Sequence, residues 1–334
     1  MSRGDTYLIT GGAGFVGSHL AEALVADGHT VLAVDNLSTG SVGNIAGLMG
    51  KPNFQFVQAG VTDDGVMDRL ASEASVVVHL AAAVGVQLVV QRPVHTVETN
   101  LEGTVAVLRA ALRHGCRVLV ASTSEVYGKS ARVPLREEDD VLLGSTRIAR
   151  WAYAASKMCD EFLGLAYHRE HGLPVVVMRL FNTVGPRQTG RYGMVIPRFV
   201  RQALRGEPIT VYGSGRQSRC FCDVRDVVRA VVGLAEEPAA AGSVYNIGST
   251  EETPIGELAE RVKAVVGGDS LIVRVPYAEA YGPGFEDMER RVPDITRIRR
   301  LLGWGPRWSL EETLPAIVAA EQKRPAAPGR EGSA

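Results

Sequence analysis

A short apolar strand, Thr6-Tyr-Leu-Ile-Thr10, runs directly into Gly11-Gly-Ala-Gly14-Phe-Val-Gly17 and then into a helical pattern over 18–26. Few junctions constrain a fold as tightly. Glycines at 11, 14 and 17 let the turn tighten, bring backbone close to a phosphate and let helix pack on strand. The helix start offers free N–H groups and a positive dipole end, which suits a pyrophosphate. Glycine spacing alone is a weak signal, but a strand before it and a helix after it make a dinucleotide-binding turn.

The next strand, Thr30-Val-Leu-Ala-Val34, ends in Asp35-Asn36. An acidic side chain at that distance accepts hydrogen bonds from adenosine ribose hydroxyls and repels a 2′-phosphate. No arginine directly follows Asp35, so the expected cofactor is NAD. Its expected contacts here are Gly11, Gly14, Phe15, Val16, Gly17, Asp35 and Asn36, with Ser38, Thr39 and Gly40 just beyond.

Strands expected at 54–57, 76–78, 118–121 and 175–180 alternate with helices at 65–72, 100–114 and 153–170. That rhythm implies an α/β fold, a Rossmann-type doubly wound parallel sheet. A smaller C-terminal α/β substrate domain is expected after it, with a strand at 209–212, helices at 197–205, 225–236 and 255–266, and a strand at 244–247. Thr253 is the expected N-cap of the 255–266 helix. The expected division is 1–182 for the NAD-binding domain and 183–322 for the substrate domain, with some crossing back and a disordered tail over 323–334.

Composition narrows function mainly by exclusion. A net charge of −1 gives no global reason to expect nucleic acid or a membrane as partner. Apolar runs fall short of the roughly 18 residues a span needs, and no signal-peptide pattern is visible, so a cytoplasmic protein is expected. Four cysteines read as reduced thiols. Cys220-Phe-Cys222 has no second Cys or His pair nearby, which argues against a metal site.

The chemistry concentrates where the 118–121 strand breaks into Ser122-Thr-Ser-Glu125. Polar groups at the carboxyl end of a buried strand face the edge where open α/β sheets bind ligands. Tyr153 and Lys157 are four apart and share one helix face. A phenol with a pKa near 10 is a poor base, but a nearby ammonium and a positive nicotinamide both favour phenolate. With Thr123 on the same substrate oxygen, the set can take a proton from a carbinol as hydride leaves its carbon.

The charged loop 129–150 reads as a solvated face, and His79 as a packing histidine. Nine arginines between Arg187 and Arg229 against three acids suggest an anionic ligand. Arg198, Arg201 and Arg205 read as the solvated side of a helix, whereas Arg187, Arg191, Arg219 and Arg291 are the expected phosphate contacts.

Thr10-Gly-Gly-Ala-Gly-Phe-Val-Gly17, Asp35-Asn36, His79-Leu-Ala-Ala82, Tyr153-Ala-Ala-Ser-Lys157 and Arg179-Leu-Phe-Asn182 together resemble the extended short-chain dehydrogenase/reductase superfamily, from about residue 5 to about 320. The resemblance implies tightly held NAD, also touched by Leu80, Ala81, Ala82, Ser122, Tyr153 and Lys157. It implies a sugar-nucleotide site including Asn182 and Tyr212, and a homodimer built from the helices at 100–114 and 153–170. Relatives commonly carry Gly-Asp after the third strand, where this chain has Ala59-Gly60-Val61, so adenine is expected at backbone near Val61.

Within the superfamily, Thr123-Ser-Glu125 is similar to the UDP-glucuronic acid decarboxylases (UDP-xylose synthases), as are Gly185-Pro-Arg187 and Arg291-Val-Pro-Asp294. The implied catalytic set is Thr123, Glu125, Tyr153 and Lys157, with Glu125 handling protons near C5 or positioning the ring. Ala81-Ala-Ala-Val-Gly-Val-Gln87 departs from that pattern and looks closer to 4-epimerases. A UDP-sugar 4-epimerase is therefore the alternative.

Overall fold

A computed structural model describes residues 4–190, 194–281 and 286–324. Seven strands form one sheet: β1 (Thr6–Thr10), β2 (Thr30–Asp35), β3 (Phe54–Gln58), β4 (Val76–His79), β5 (Arg117–Thr123), β6 (Val175–Leu180) and β7 (Ser243–Ile247). Their order is β7-β6-β5-β4-β1-β2-β3, every pair parallel. The order reverses between β1 and β4, which opens a crevice at their carboxyl ends.

Alternation along each strand divides the core in two. Tyr7 and Ile9 of β1 pack in one layer with Leu20 and Leu24 of α1 (Phe15–Ala26). Leu8 faces the other layer with Met67 and Leu70 of α2 (Asp64–Ser72) and Leu108 of α3 (Pro93–His114). Helix α3 lies beside α4 (Ala152–His171). A separate core joins α5 (Val195–Leu204) and α7 (Ile255–Val266) to α8 (Leu310–Gln322) through Phe199, Phe221, Leu258 and Leu314, whereas α6 (Val224–Glu236), expected in the substrate domain, packs its Val227 and Val231 into the first layer beside α1.

Three further details differ from the sequence reading. Helix α3 starts at Pro93, seven residues before 100, because proline's missing N–H is no loss in a first turn. Thr253 does not cap α7. It lies in a short strand, Glu252–Pro254, paired antiparallel with Ser218–Cys220, and extended Pro254 is the N-cap. Strand β7 joins the main sheet beside β6 rather than the second core. Residues 325–334 of the expected tail lie outside the described residues.

Candidate active site

The glycine turn is as tight as its sequence implies. Gly11 has φ +70°, and a Cβ on Gly17 would stand 2.2 Å from the Gly11 carbonyl oxygen. Helix α1 starts at Phe15 with Gly14 as N-cap and no side-chain cap, so the first-turn amides of Phe15, Val16 and Gly17 are left for a ligand. At the end of β2, Asp35 accepts N–H bonds from Ala13 at 3.1 Å and Leu37 at 2.7 Å. Burial pushes its carboxyl up while these bonds pull it back. Its remaining lone pairs can accept from ribose hydroxyls. Asn36 turns back to accept from Ser38 N–H, Thr39 follows, and Gly40 sits where a Cβ would be 2.8 Å from Asp35 Oδ2. Leu80 and Ala81 close the crevice opposite Gly11, and Ala81 N–H donates to Thr10 Oγ1. Ala82 is half-buried beside them, and Val61 is buried with its Cγ1 against Gly103. These features fit a dinucleotide.

Beyond the crevice is a cleft of about 270 Å³ lined by Thr123, Glu125, Tyr153, Asn182, Tyr212, Arg219 and Arg291 among others. Thr123 ends β5 and accepts the Glu125 N–H at 3.2 Å, starting a single 3₁₀ turn that aims Glu125 inward. Tyr153 is buried and hydrogen-bonded to Thr123. Burial and the Glu125 charge push its phenol well above its usual value, whereas the sequence reading has an ammonium lowering it. Lys157 Nζ itself pairs with Asp160 Oδ2 at 2.7 Å.

Ser122, one residue earlier in β5, points the other way. Its hydroxyl donates to Glu161, which Arg179 holds at 2.7 Å, so the Ser122 side chain serves that network rather than the cleft. Asn182 lines the cleft with φ 30° and donates to the Cys220 carbonyl at 3.1 Å. Arg187 is outside the cleft lining, where it donates to Ser18 Oγ at 3.2 Å and pairs with Glu22 of α1 at 2.6 Å. Arg191 lies outside the described residues.

Sequence reasoning missed three charged groups. Arg150, assigned to a solvated loop, is 4% exposed and pairs with Glu125. Asp287 pairs with Arg219 at 2.8 Å and lies 3.6 and 3.7 Å from Arg150 and Arg291. Arg198 is no solvated residue: its guanidinium covers the Tyr212 ring at 3.6 Å, and Tyr281 meets that ring edge-on at 5.4 Å. Arg205 does sit at the surface near Glu207, whereas Arg201 is half-buried and paired with Glu321 of α8 at 3.1 Å. Arg150 had one legible signal, its place three residues before Tyr153 where the helix must enter the cleft.

Burial alone would raise the pKa of Glu125, but Arg150, with Arg291 at 3.6 Å, overcomes it and holds the carboxyl down at about 2. Glu125 is therefore a fixed carboxylate. Burial and the neighbouring Arg219 charge bring Arg291 down to about 10, so it keeps its proton at neutral pH.

Residues 7–248 match the model of the NAD dependent epimerase/dehydratase family. The chain belongs to that family. Among its relatives, a UDP-N-acetyl-alpha-D-glucosaminuronate decarboxylase of Bacillus cytotoxicus is 43% identical over 93% of this chain and 96% of its own. UDP-glucuronic acid decarboxylase 1 of Danio rerio is 40% identical over 93% of this chain and 71% of its own. A crystal structure of the UDP-glucose 4-epimerase of Thermotoga maritima with UDP-glucose superposes with a TM-score of 0.85 at 33% identity, covering 95% of this chain and 99% of that one. In this NAD-dependent family the glycine turn and Asp35 have an immediate purpose.

Proposed function

We propose that the chain is an NAD-dependent decarboxylase of a UDP-linked hexuronic acid, UDP-glucuronate in the first instance, yielding UDP-4-keto-xylose or UDP-xylose. The observation that carries this reading is Glu125 clamped between Arg150 and Arg291 on the same wall as Thr123 and Tyr153. Two buried guanidiniums beside the reacting hydroxyls suit a sugar that carries a carboxylate at C5. The two decarboxylases among the relatives support it.

Bound NAD supplies the hydride acceptor for C4, the hydride for re-reduction, and a positive charge that favours Tyr153 as phenolate. Tyr153 Oη takes the C4 hydroxyl proton, and Thr123 Oγ1 holds the same oxygen. The resulting β-keto acid breaks its C5–C6 bond, releases CO2 and leaves the electron pair on the C4 oxygen as an enolate. Tyr153 and Thr123 stabilise that oxygen, and a proton from solvent adds to C5 as the C4 carbonyl re-forms. Glu125, held near pKa 2, stays deprotonated at neutral pH and is too weak a base to take up a proton, so its role is to position Arg150, Arg291 and the ring. Lys157 bears on Tyr153 and the cofactor ribose. Tyr212, stacked by Arg198, offers the uridine a face, and Arg219 and Arg291 serve the diphosphate and the acidic end.

The 4-epimerase reading retains two supports, the small apolar run from Ala81 and the fold shared with the Thermotoga enzyme. Purified protein incubated with UDP-glucuronate, UDP-N-acetylglucosaminuronate and UDP-glucose, with nuclear magnetic resonance of the products, separates the two. A UDP-pentose or its N-acetylated counterpart supports decarboxylation; C4-inverted product without loss of C6 overturns it.

The family resemblance also supports a homodimer through α3 and α4, whose Val94 and Phe162 are 66% and 63% exposed. No described helix is long and apolar enough to cross a membrane. The free thiols of Cys116, Cys159, Cys220 and Cys222 support a cytoplasmic setting.

A further inference from the structure

A file of buried polar groups runs behind the cleft from Lys157 to the base of the glycine turn. Lys157 Nζ lies 2.7 Å from Asp160 Oδ2, with side chains 3% and 0% exposed. Burial pushes the Asp160 carboxyl up, while Lys157 and the Thr104 hydroxyl of α3 favour its charged form. Asp160 Oδ1 is buried with no hydrogen-bond partner of its own, and Thr104 is the donor that faces the carboxylate. Thr104 Oγ1 is 3.1 Å from His79 Nε2, and His79 Nδ1 is 2.8 Å from Thr10 Oγ1.

The ends of this file constrain its proton positions. Ala81 N–H can only donate, so Thr10 Oγ1 accepts it and keeps its proton and second lone pair for His79 Nδ1. Burial, then the Lys157 charge, pushes His79 down to about 3, so the ring is neutral with a single N–H. In the tautomer with that proton on Nε2, Thr10 donates to Nδ1, the Nε2–H goes to Thr104, and the Thr104 hydroxyl proton is left to face Asp160. In that arrangement every donor points toward the carboxylate, and Lys157 meets it from the other side.

We propose that Asp160 is the positioning residue for Lys157. The lysine's four-carbon stem has many rotamers, and one buried anion three residues on selects the one that keeps the ammonium on the Tyr153 face of α4. His79 and Thr104 brace that anion from the sheet and from α3, tying Lys157 to the strand ends that flank the glycine turn. This inference rests on the role assigned to Lys157 above. Without Asp160 the ammonium is a buried charge lacking its counterion, and its place beside the cofactor is lost.

The test is a double-mutant cycle on single-turnover NAD reduction, followed at 340 nm with UDP-glucuronate. Asp160→Asn should lower the rate about 10- to 100-fold, the cost of a misplaced catalytic group, with KM for the nucleotide sugar little changed. In a Lys157→Met background the same substitution should cost nothing further. Thr104→Val, one link back, should lower the rate about threefold in the parent chain and not at all beside Lys157→Met. It carries the cycle if Asp160→Asn fails to fold. Additive losses from either substitution would overturn the inference while leaving the proposed function standing. A Lys157→Met protein with undiminished rate would overturn the inference together with the role of Lys157, and a parent protein that does not reduce NAD with UDP-glucuronate would overturn the proposed function instead.

Discussion

Glu125 and Arg150 form an ion pair in the wall of the cleft, with side chains 15% and 4% exposed. One arrives on the turn after β5 and the other on the turn before α4, so the pair locks together the two elements that carry Thr123 and Tyr153. Glu125→Gln keeps the shape and removes the charge. Rapid-mixing measurements should show oxidation at C4 surviving better than CO2 release. Equal loss of both steps would mean that Glu125 has no role specific to decarboxylation.

The same pair makes stability depend on pH in a defined direction. The folded pKa of Glu125 is depressed to about 2, from an ordinary value near 4.5, by Arg150 and Arg291 acting against burial. The stabilisation is therefore present above about 4.5 and lost as pH falls through about 2, on the order of 3 kcal/mol in full. Urea denaturation at pH 6 and at pH 3 should show a larger drop for the parent than for Glu125→Gln. A parallel drop in both proteins would contradict the pair's role.

Removing one cation has the opposite logic from removing the anion. Arg150→Met leaves Glu125 buried with Arg291 at 3.6 Å and the weaker influence of Arg219, and should cost about 3 kcal/mol or more in thermal or urea unfolding. Pairing this change with Glu125→Gln should restore much of that loss. Additivity of the two would argue against direct pairing.

At the other end of the cleft, Gly17→Ala places a methyl 2.2 Å from the Gly11 carbonyl and must open the turn. NAD affinity measured by calorimetry should fall by at least about tenfold, because the first-turn amides lose their geometry. Wild-type affinity would exclude the turn as the pyrophosphate site.

The fold was largely legible because buried parallel strands are continuous apolar runs, and β1, β4 and β6 each carry that pattern openly. The glycine turn and the Tyr153–Lys157 spacing were legible because local geometry alone fixes them. Arg150 was not, since a charged residue in a charged loop looks solvated until Glu125 and Asp287, from distant segments, close around it. Arg198 failed for a similar reason: its helix position is amphipathic, but the Tyr212 ring that covers it belongs to another element. Arg187 shows the converse, a loop arginine with a good phosphate context that α1 claims through Glu22. The tertiary partner decides each of these, and a linear pattern does not contain it.

The most direct test follows carbon 6. UDP-glucuronate labelled with ¹³C at C6, incubated with the purified protein and NAD, should give labelled bicarbonate in step with a UDP-linked pentose or 4-ketopentose. Label retained in a hexuronic acid epimerised at C4, with no labelled bicarbonate, would contradict the proposed decarboxylation.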